Sequence, residues 1–510
     1  MIRIHRYFLI VVGFTGLCYS NGCDVTYPDG KFLCGENGNC PPGMFCRSDN
    51  KCYNSSESDD VISGETDSVN SDRTADQEDG RDDSRPSDSK GTGGAGGKSD
   101  DQDDDSETTG SGGNQPLVDA DYPDARVSED SEADSQKPII RPETTVGEVY
   151  DGWTYYEVQG AFCRDGSAAG YYLRKGAVEN LLIFLNGGGV CYDDFFCAIN
   201  PANVEQSLSG ESLIGLTIEN ITQALLPERQ VPPDEGIFKQ DRRNPVADWT
   251  MVYIPYCTGD LHAGTERDAS VITSTVLPFQ QFVGYSNIGL FYRSFGPDYL
   301  SAEKVLLTGS SAGSLGVLFN LDRTQQFFTN SEVIAIMDSG FPFRDEYLPF
   351  CLQKKWRELW KLDAIIPADC TSCFSPDGGG LYELYGYYRN KYTGRVLGGV
   401  VSTEQDEVIK LFFSAGNNNC TGNPLIGELI ELRTGGIISS YPRNLYPTGL
   451  TDYIENVVGL ERGGSYIFEG TTHQHLFRDR YYETNGLDVT ISTWVKDLIN
   501  GVATHVGTLP

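Results

Sequence analysis

The short apolar run Val305–Thr308 leads straight into Gly309-Ser310-Ser311-Ala312-Gly313, and a helical pattern follows over Ser314–Phe328. Small residues two before and two after Ser311 let a chain turn sharply from a strand into a helix. They leave the Ser311 hydroxyl exposed on a strained corner. Ser310 competes for that role, but only Ser311 has Gly at both required offsets. A GxSxG alone also fits a Gly/Ser-rich loop. It is the preceding strand and following helix that make Ser311 a candidate nucleophile.

Other short Val/Ile/Leu/Phe runs bounded by turn residues read as buried parallel strands: Leu181–Leu185, Met251–Ile254, Val333–Met337, Val396–Val401, Lys410–Phe413 and Tyr466–Phe468. Helices are expected between several of them and over Val489–Gly501. The order predicts an α/β fold around a mostly parallel sheet, with its site at the carboxyl ends of the strands.

Leu181–Leu185 is followed by Asn186 and three glycines, Gly187–Gly189. Glycines there let backbone N–H groups approach a ligand closely. Gly188 and Gly189, with the N–H of Ala312, are the candidate oxyanion donors; the bland alternative is a flexible loop.

Five histidines narrow the search for a base. His5 lies in the amino-terminal export segment, His262 precedes the serine, and His505 lies near the end of the sequence. The chain order Ser, acid, His leaves His473 and His475, and His473 is nearer the end of its strand. For the acid, Asp406 after the later strand is favoured over Asp338, which reads as a structural group beside the nucleophile loop. Asp260 and His262, in the loop after Met251–Ile254, either contact substrate or form a hydrogen-bonded turn. No metal-ligand spacing is present, and no cofactor is expected.

Charge divides the chain. Of a formal −34 over 510 residues, −18 falls between Asn54 and Thr145, which hold 26 acidic and 8 basic side chains and a single aromatic. Such a segment cannot bury enough apolar surface to offset its chain entropy, so 54–145 is expected to be a disordered, self-repelling linker. The remaining 146–510, at −17, is ample for one large core and too acidic for a nucleic-acid binder.

Arg3 and Arg6 precede an apolar run far shorter than the roughly 20 residues of a membrane span, so 1–22 reads as a signal peptide. Gly22-Cys23 resembles a lipoprotein cleavage site, which offers membrane attachment through a lipidated Cys23; plain secretion is the alternative. Residues 23–53, with Cys34, Cys40, Cys46 and Cys52, read as a small disulfide-held module. Fourteen cysteines in an exported chain point to disulfides and an extracytoplasmic location, Cys191–Cys197 being the expected local bridge.

Taken in order, GGG with Cys191, IPYCTGD at Ile254–Asp260, LTGSSAGSLG, MDSGFPF and the late GTTH resemble the pectin acetylesterase and Notum-type carboxylesterase family. The resemblance spans 146–510. It implies an α/β-hydrolase fold, a Ser-Asp-His triad on Ser311, Asp406 and His473, and hydrolysis of O-acyl esters. The implied substrate is an acetylated glycan such as pectin, or another small ester. Gly189 stands where the Notum branch carries Trp, which argues against carrying over lipid specificity. A fatty-acyl esterase and a catalytically silent carbohydrate-binding protein are the alternatives; oligomeric state is not legible.

Overall fold

The computed structural model describes residues 32–33, 45–47, 51–53 and 139–507, apart from 194–195, 198–199, 205–231, 272–278, 396, 417–419, 421–440 and 460. The expected signal peptide, most of the small cysteine-rich module and the linker up to residue 138 lie outside the described residues. In that module the short strands β1 (Phe32–Leu33), β2 (Phe45–Cys46) and β3 (Lys51–Tyr53) form an antiparallel sheet in the order β1-β3-β2.

The rest is organised by a ten-stranded sheet. Its strands are β4 (Thr144–Tyr150), β5 (Trp153–Phe162), β6 (Ala168–Arg174), β7 (Val178–Leu185), β8 (Trp249–Ile254), β11 (Lys304–Ser310), β12 (Glu332–Asp338), β13 (Gly398–Thr403), β14 (Gly463–Phe468) and β15 (His505–Val506). They run in the order β15-β14-β13-β12-β11-β7-β8-β6-β5-β4. All neighbours from β15 to β8 pair in parallel, while β6, β5 and β4 pair antiparallel. A separate antiparallel pair joins β9 (Glu266–Ala269) and β10 (Gln280–Phe282). This is the α/β-hydrolase arrangement, a mostly parallel sheet covered by helices.

Period-two alternation fills both faces of the sheet. Leu181, Ile183 and Leu185 of β7 enter one core cluster together with Val305, Leu307 and Met337. Leu182 and Phe184 enter the other, with Leu306, Ile334, Ile336 and Tyr466. Helices α1 (Gly284–Phe295) and α2 (Ala312–Phe327) supply the first cluster, through residues such as Ile288, Phe291, Val317 and Leu318. Further helices are α3 (Phe350–Trp360), α4 (Glu383–Lys391), α5 (Glu407–Ser414), α6 (Leu445–Asp452) and α7 (Ile491–Ile499), the last packing Trp494 and Leu498 into the second cluster.

Two expectations need correction. Lys410–Phe413 is not a strand but part of α5. Asp406 caps that helix by accepting from Val408 N and Ile409 N at 3.1 Å each, and Val408, Leu411 and Phe413 pack into the core. A four-residue apolar run fits helix and strand equally, and here the cap decides. The fold also begins before residue 146: Thr144 and Thr145 pair with Val158 and Glu157 in the sheet.

β7 lies between β8 and β11, so the chain leaves β7 towards one side of the sheet and β11 towards the other. The carboxyl ends of β7 and β11 therefore flank a topological switch point, where α/β sheets open a crevice. Gly187–Gly189 follow one of these ends and Ser311 the other.

Candidate active site

Ser311 stands between β11 and α2 with φ 58° and ψ −122°, a left-handed backbone costing about 1–3 kcal/mol that the surroundings must hold. Its N–H donates to Asp338 O at 2.8 Å, and its carbonyl accepts from Ser314 N at 3.0 Å. The flanking glycines are steric necessities. A Cβ on Gly309 would stand 2.5 Å from Gly313 O, and one on Gly313 would collide with the Leu185 carbonyl at the end of β7. The sixteen-residue α2 begins at Ala312, and its first-turn amides bring the positive end of the helix dipole beside Ser311.

The glycine loop is pressed against this corner. A Cβ on Gly187 would stand 2.5 Å from Ser310 O, 2.8 Å from Ser311 Cβ and 3.3 Å from Gln474 Nε2. Gly188 and Gly189 have φ of 155° and 79°, and among the described residues neither amide has a backbone acceptor. The loop is held from behind. Asn200 Nδ2 donates to Gly188 O at 2.6 Å, and Cys191 is bonded to Cys197, the expected local bridge. The buried Arg164 donates to Cys197 O at 3.0 Å and to Gln280 Oε1 at 2.6 Å. Desolvation pushes its guanidinium down to about 10.

His473 follows β14, and its Nδ1 lies 2.8 Å from Asp406 Oδ2. Asp406 sits after β13 with its side chain wholly buried, so both come from the carboxyl ends of adjacent strands. His473 Nε2 is buried and has no hydrogen-bond partner among the described residues, so no Ser311–His473 bond is closed in this structure. Such contacts are often long in the absence of substrate.

The remaining candidates separate cleanly. Asp338 Oδ2 accepts from Ser310 Oγ and His475 N at 2.8 Å and from Leu476 N at 2.9 Å, while Oδ1 accepts from Ser339 Oγ at 2.9 Å. It has no bond to the His473 ring, and burial raises its pKa. His475 is fully enclosed, its ring edge-on to Phe468 at 4.5 Å, and burial drives its pKa well down.

Asp260 and His262 are a hydrogen-bonded turn rather than a substrate-facing pair. The Asp260 carboxylate is consumed by Thr258 Oγ1 at 2.6 Å, Gly284 N at 2.7 Å and Gly264 N at 3.1 Å. His262 packs at a tilt against the Tyr256 ring, contacts Asn186 O through Nε2 at 2.9 Å, and is pushed down to about 4 by burial. Its contact is with the residue that opens the glycine loop. Among the described residues no His/Cys/Asp/Glu group could hold a metal ion.

Sequence reasoning missed Asn200, Arg164 and Gln474. Asn200 and Arg164 are lone polar residues in unpatterned loops, where only tertiary contact gives them meaning; Gln474 sits between the two candidate bases His473 and His475, where the search for a base passed over it.

Against known proteins, the family described as Pectinacetylesterase matches residues 154–388, a span holding the glycine loop and Ser311. Over that span the chain is similar to the pectin acetylesterase and Notum-type family. Palmitoleoyl-protein carboxylesterase NOTUM of Drosophila melanogaster is 28% identical over 238 residues, which is 44% of this chain and 33% of that protein. Palmitoleoyl-protein carboxylesterase notum2 of Xenopus laevis is 30% identical over 234 residues, 42% of this chain and 43% of that protein. The matched span is thus less than half the length of either relative. The solved structure of the Wnt deacylase Notum from Drosophila aligns with a TM-score of 0.46 at 21% identity, covering 68% of this chain and 94% of that one. The family match stops before Asp406 and His473. Those two residues are brought together by this chain's own strand order.

Proposed function

We propose that this chain is an extracytoplasmic serine carboxylic ester hydrolase that removes O-acetyl groups from a glycan through Ser311, Asp406 and His473. The observation that carries the reading is the buried 2.8 Å contact between His473 Nδ1 and Asp406 Oδ2, at the sheet end that also presents Ser311. It holds the imidazole in the tautomer whose Nε2 is free to take a proton.

In this mechanism His473 Nε2 accepts the Ser311 proton as Oγ attacks the acyl carbonyl. The developing oxyanion is met by the N–H groups of Gly188, Gly189 and Ala312 at the positive end of α2. Collapse expels the alcohol, protonated by His473, and water then releases the acid. Every step runs on this chain's own side chains and amides.

The acetyl reading rests on the Pectinacetylesterase match across the loop and nucleophile. A second reading, long-chain acyl removal, is favoured by the Notum relatives, whose names describe palmitoleoyl-protein carboxylesterases. Four disulfides among the described residues, Cys163–Cys257, Cys191–Cys197, Cys351–Cys420 and Cys370–Cys373, suit an oxidising compartment. Attachment through a lipidated Cys23 is the finer form of that location, and the mass of the mature amino-terminal peptide reads it directly.

The test is hydrolysis of p-nitrophenyl esters from acetate to palmitate by the secreted chain. Turnover falling steeply beyond butyrate, and lost in Ser311→Ala, is expected. A preference for eight carbons or more transfers the proposal to lipid esters. Undiminished turnover by a folded Ser311→Ala protein removes the serine mechanism.

A further inference from the structure

His473 and Gln474 are consecutive, both are almost wholly buried, and each carries a polar atom with no partner among the described residues: Nε2 of His473 and Oε1 of Gln474. The Gln474 amide lies at the corner of the site, since a Cβ on Gly187 would touch its Nε2 at 3.3 Å and Ser311 Cβ at 2.8 Å. The residue is held there at a cost. Its φ is 68°, unusual for a side-chain-bearing residue, and its backbone N–H is fixed on Ser339 Oγ at 3.0 Å. Burying an unpaired amide oxygen is unfavourable, and such groups in native proteins call for a partner.

We infer that Gln474 positions the water that releases the acyl group. A water has two O–H bonds, and two unpaired acceptors on adjacent residues, one of them on an amide whose Nε2 borders the corner between Gly187 and Ser311, suit one molecule. The inference rests on the serine mechanism proposed above.

In the step, one water O–H is oriented by Gln474 Oε1 and the other proton passes to His473 Nε2. The water oxygen forms a bond to the acyl carbon of the Ser311 ester. The tetrahedral intermediate collapses, the bond from that carbon to Ser311 Oγ breaks, and Oγ recovers the proton from His473. A free carboxylic acid leaves, and no oxidant or reductant is involved. Acylation, in which the alcohol leaves and no water is yet needed, does not call on Gln474.

The inference separates the two half-reactions. In Gln474→Met, and in Gln474→Leu as a second apolar variant, kcat for p-nitrophenyl acetate is expected to fall about 10- to 100-fold. KM falls in parallel, kcat/KM stays near wild type, and a pre-steady-state burst of nitrophenol approaches one equivalent per enzyme. The rate of Ser311 labelling by a fluorophosphonate stays near wild type, which shows that the variant is folded and its nucleophile active. Loss of kcat/KM without a burst, at wild-type labelling, assigns Gln474 to acylation and overturns the inference. Wild-type kcat in both variants overturns it as well. A wild-type protein that neither turns over ester nor labels at Ser311 fails the serine mechanism itself, a distinct result.

Discussion

Asp338 Oδ2 accepts the Ser310 hydroxyl at 2.8 Å, and the same oxygen takes the amides of His475 and Leu476, so one buried carboxylate ties the nucleophile strand to the histidine loop. Ser310 is the residue before the nucleophile, and His475 lies two after His473. The group that sets their spacing therefore belongs to neither half of the candidate site.

Replacing Asp338 by Ala strands two hydroxyls, those of Ser310 and Ser339, and two amides in the interior. Each buried unpaired group costs about 1–3 kcal/mol, so an unfolding free energy lower by about 3 kcal/mol or more is expected. Esterase activity should drop with it, yet remain measurable at temperatures where the variant is folded. Urea denaturation and turnover measured on the same preparation check this. If the Asp338 variant lost all activity while remaining as stable as wild type, Asp338 and not Asp406 would be the acid.

Asp406 has two roles that can be separated. Oδ2 meets His473, while Oδ1 caps α5 through Val408 N and Ile409 N. Asn caps a helix as well as Asp, so Asp406→Asn should keep stability and lose about 10⁴ in kcat because the imidazole is held in the wrong tautomer. Asp406→Ala should lose a comparable rate and, in addition, about 1 kcal/mol of stability. A thermal melt beside steady-state kinetics distinguishes the two variants.

The loop glycine nearest the nucleophile makes a third test. Gly187→Ala would place a methyl 2.5 Å from Ser310 O and 2.8 Å from Ser311 Cβ, so the loop must retreat and carry the amides of Gly188 and Gly189 with it. Losing one oxyanion donor costs about 10²–10³ in rate. A fall in kcat of that order, with little change in KM, is expected from ester kinetics. Wild-type kcat would mean that these amides do not meet the oxyanion.

What could be read in the sequence followed from how local the physics is. Ser311 was legible because a strand-to-helix corner needs Gly309 and Gly313 within a few residues of it. The Cys191–Cys197 bridge closes over six residues. Asp406 and His473 came from chain order, and the structure sets them 2.8 Å apart. β4, β5 and β6 escaped because they are antiparallel, rich in Tyr and, in β4, exposed along the whole strand, so they show no continuous Val/Ile/Leu run. Asn200 and Arg164 carry no local signal at all. Their carbonyl partners are 12 and 33 residues away, and only the folded loop brings them together.

His262 links this loop to acidity. Burial depresses its folded pKa from 6.5 to about 4, so between those values the unfolded chain binds a proton that the native one excludes. Stability therefore rises with pH across that window and is lost as pH falls from about 6.5 towards 4, by about 3 kcal/mol for this group alone. His475, also driven down by burial, acts in the same sense. Asp260 and Asp338, raised by burial, act in the opposite sense above their ordinary carboxylate range. The share of His262 is isolated by His262→Gln, whose amide can still reach the Asn186 carbonyl but does not titrate. Denaturation midpoints at pH 6.5, 5.0 and 4.0 should fall less steeply in the variant than in wild type. Equal slopes in the two proteins would mean that His262 is not held neutral by its burial against Tyr256.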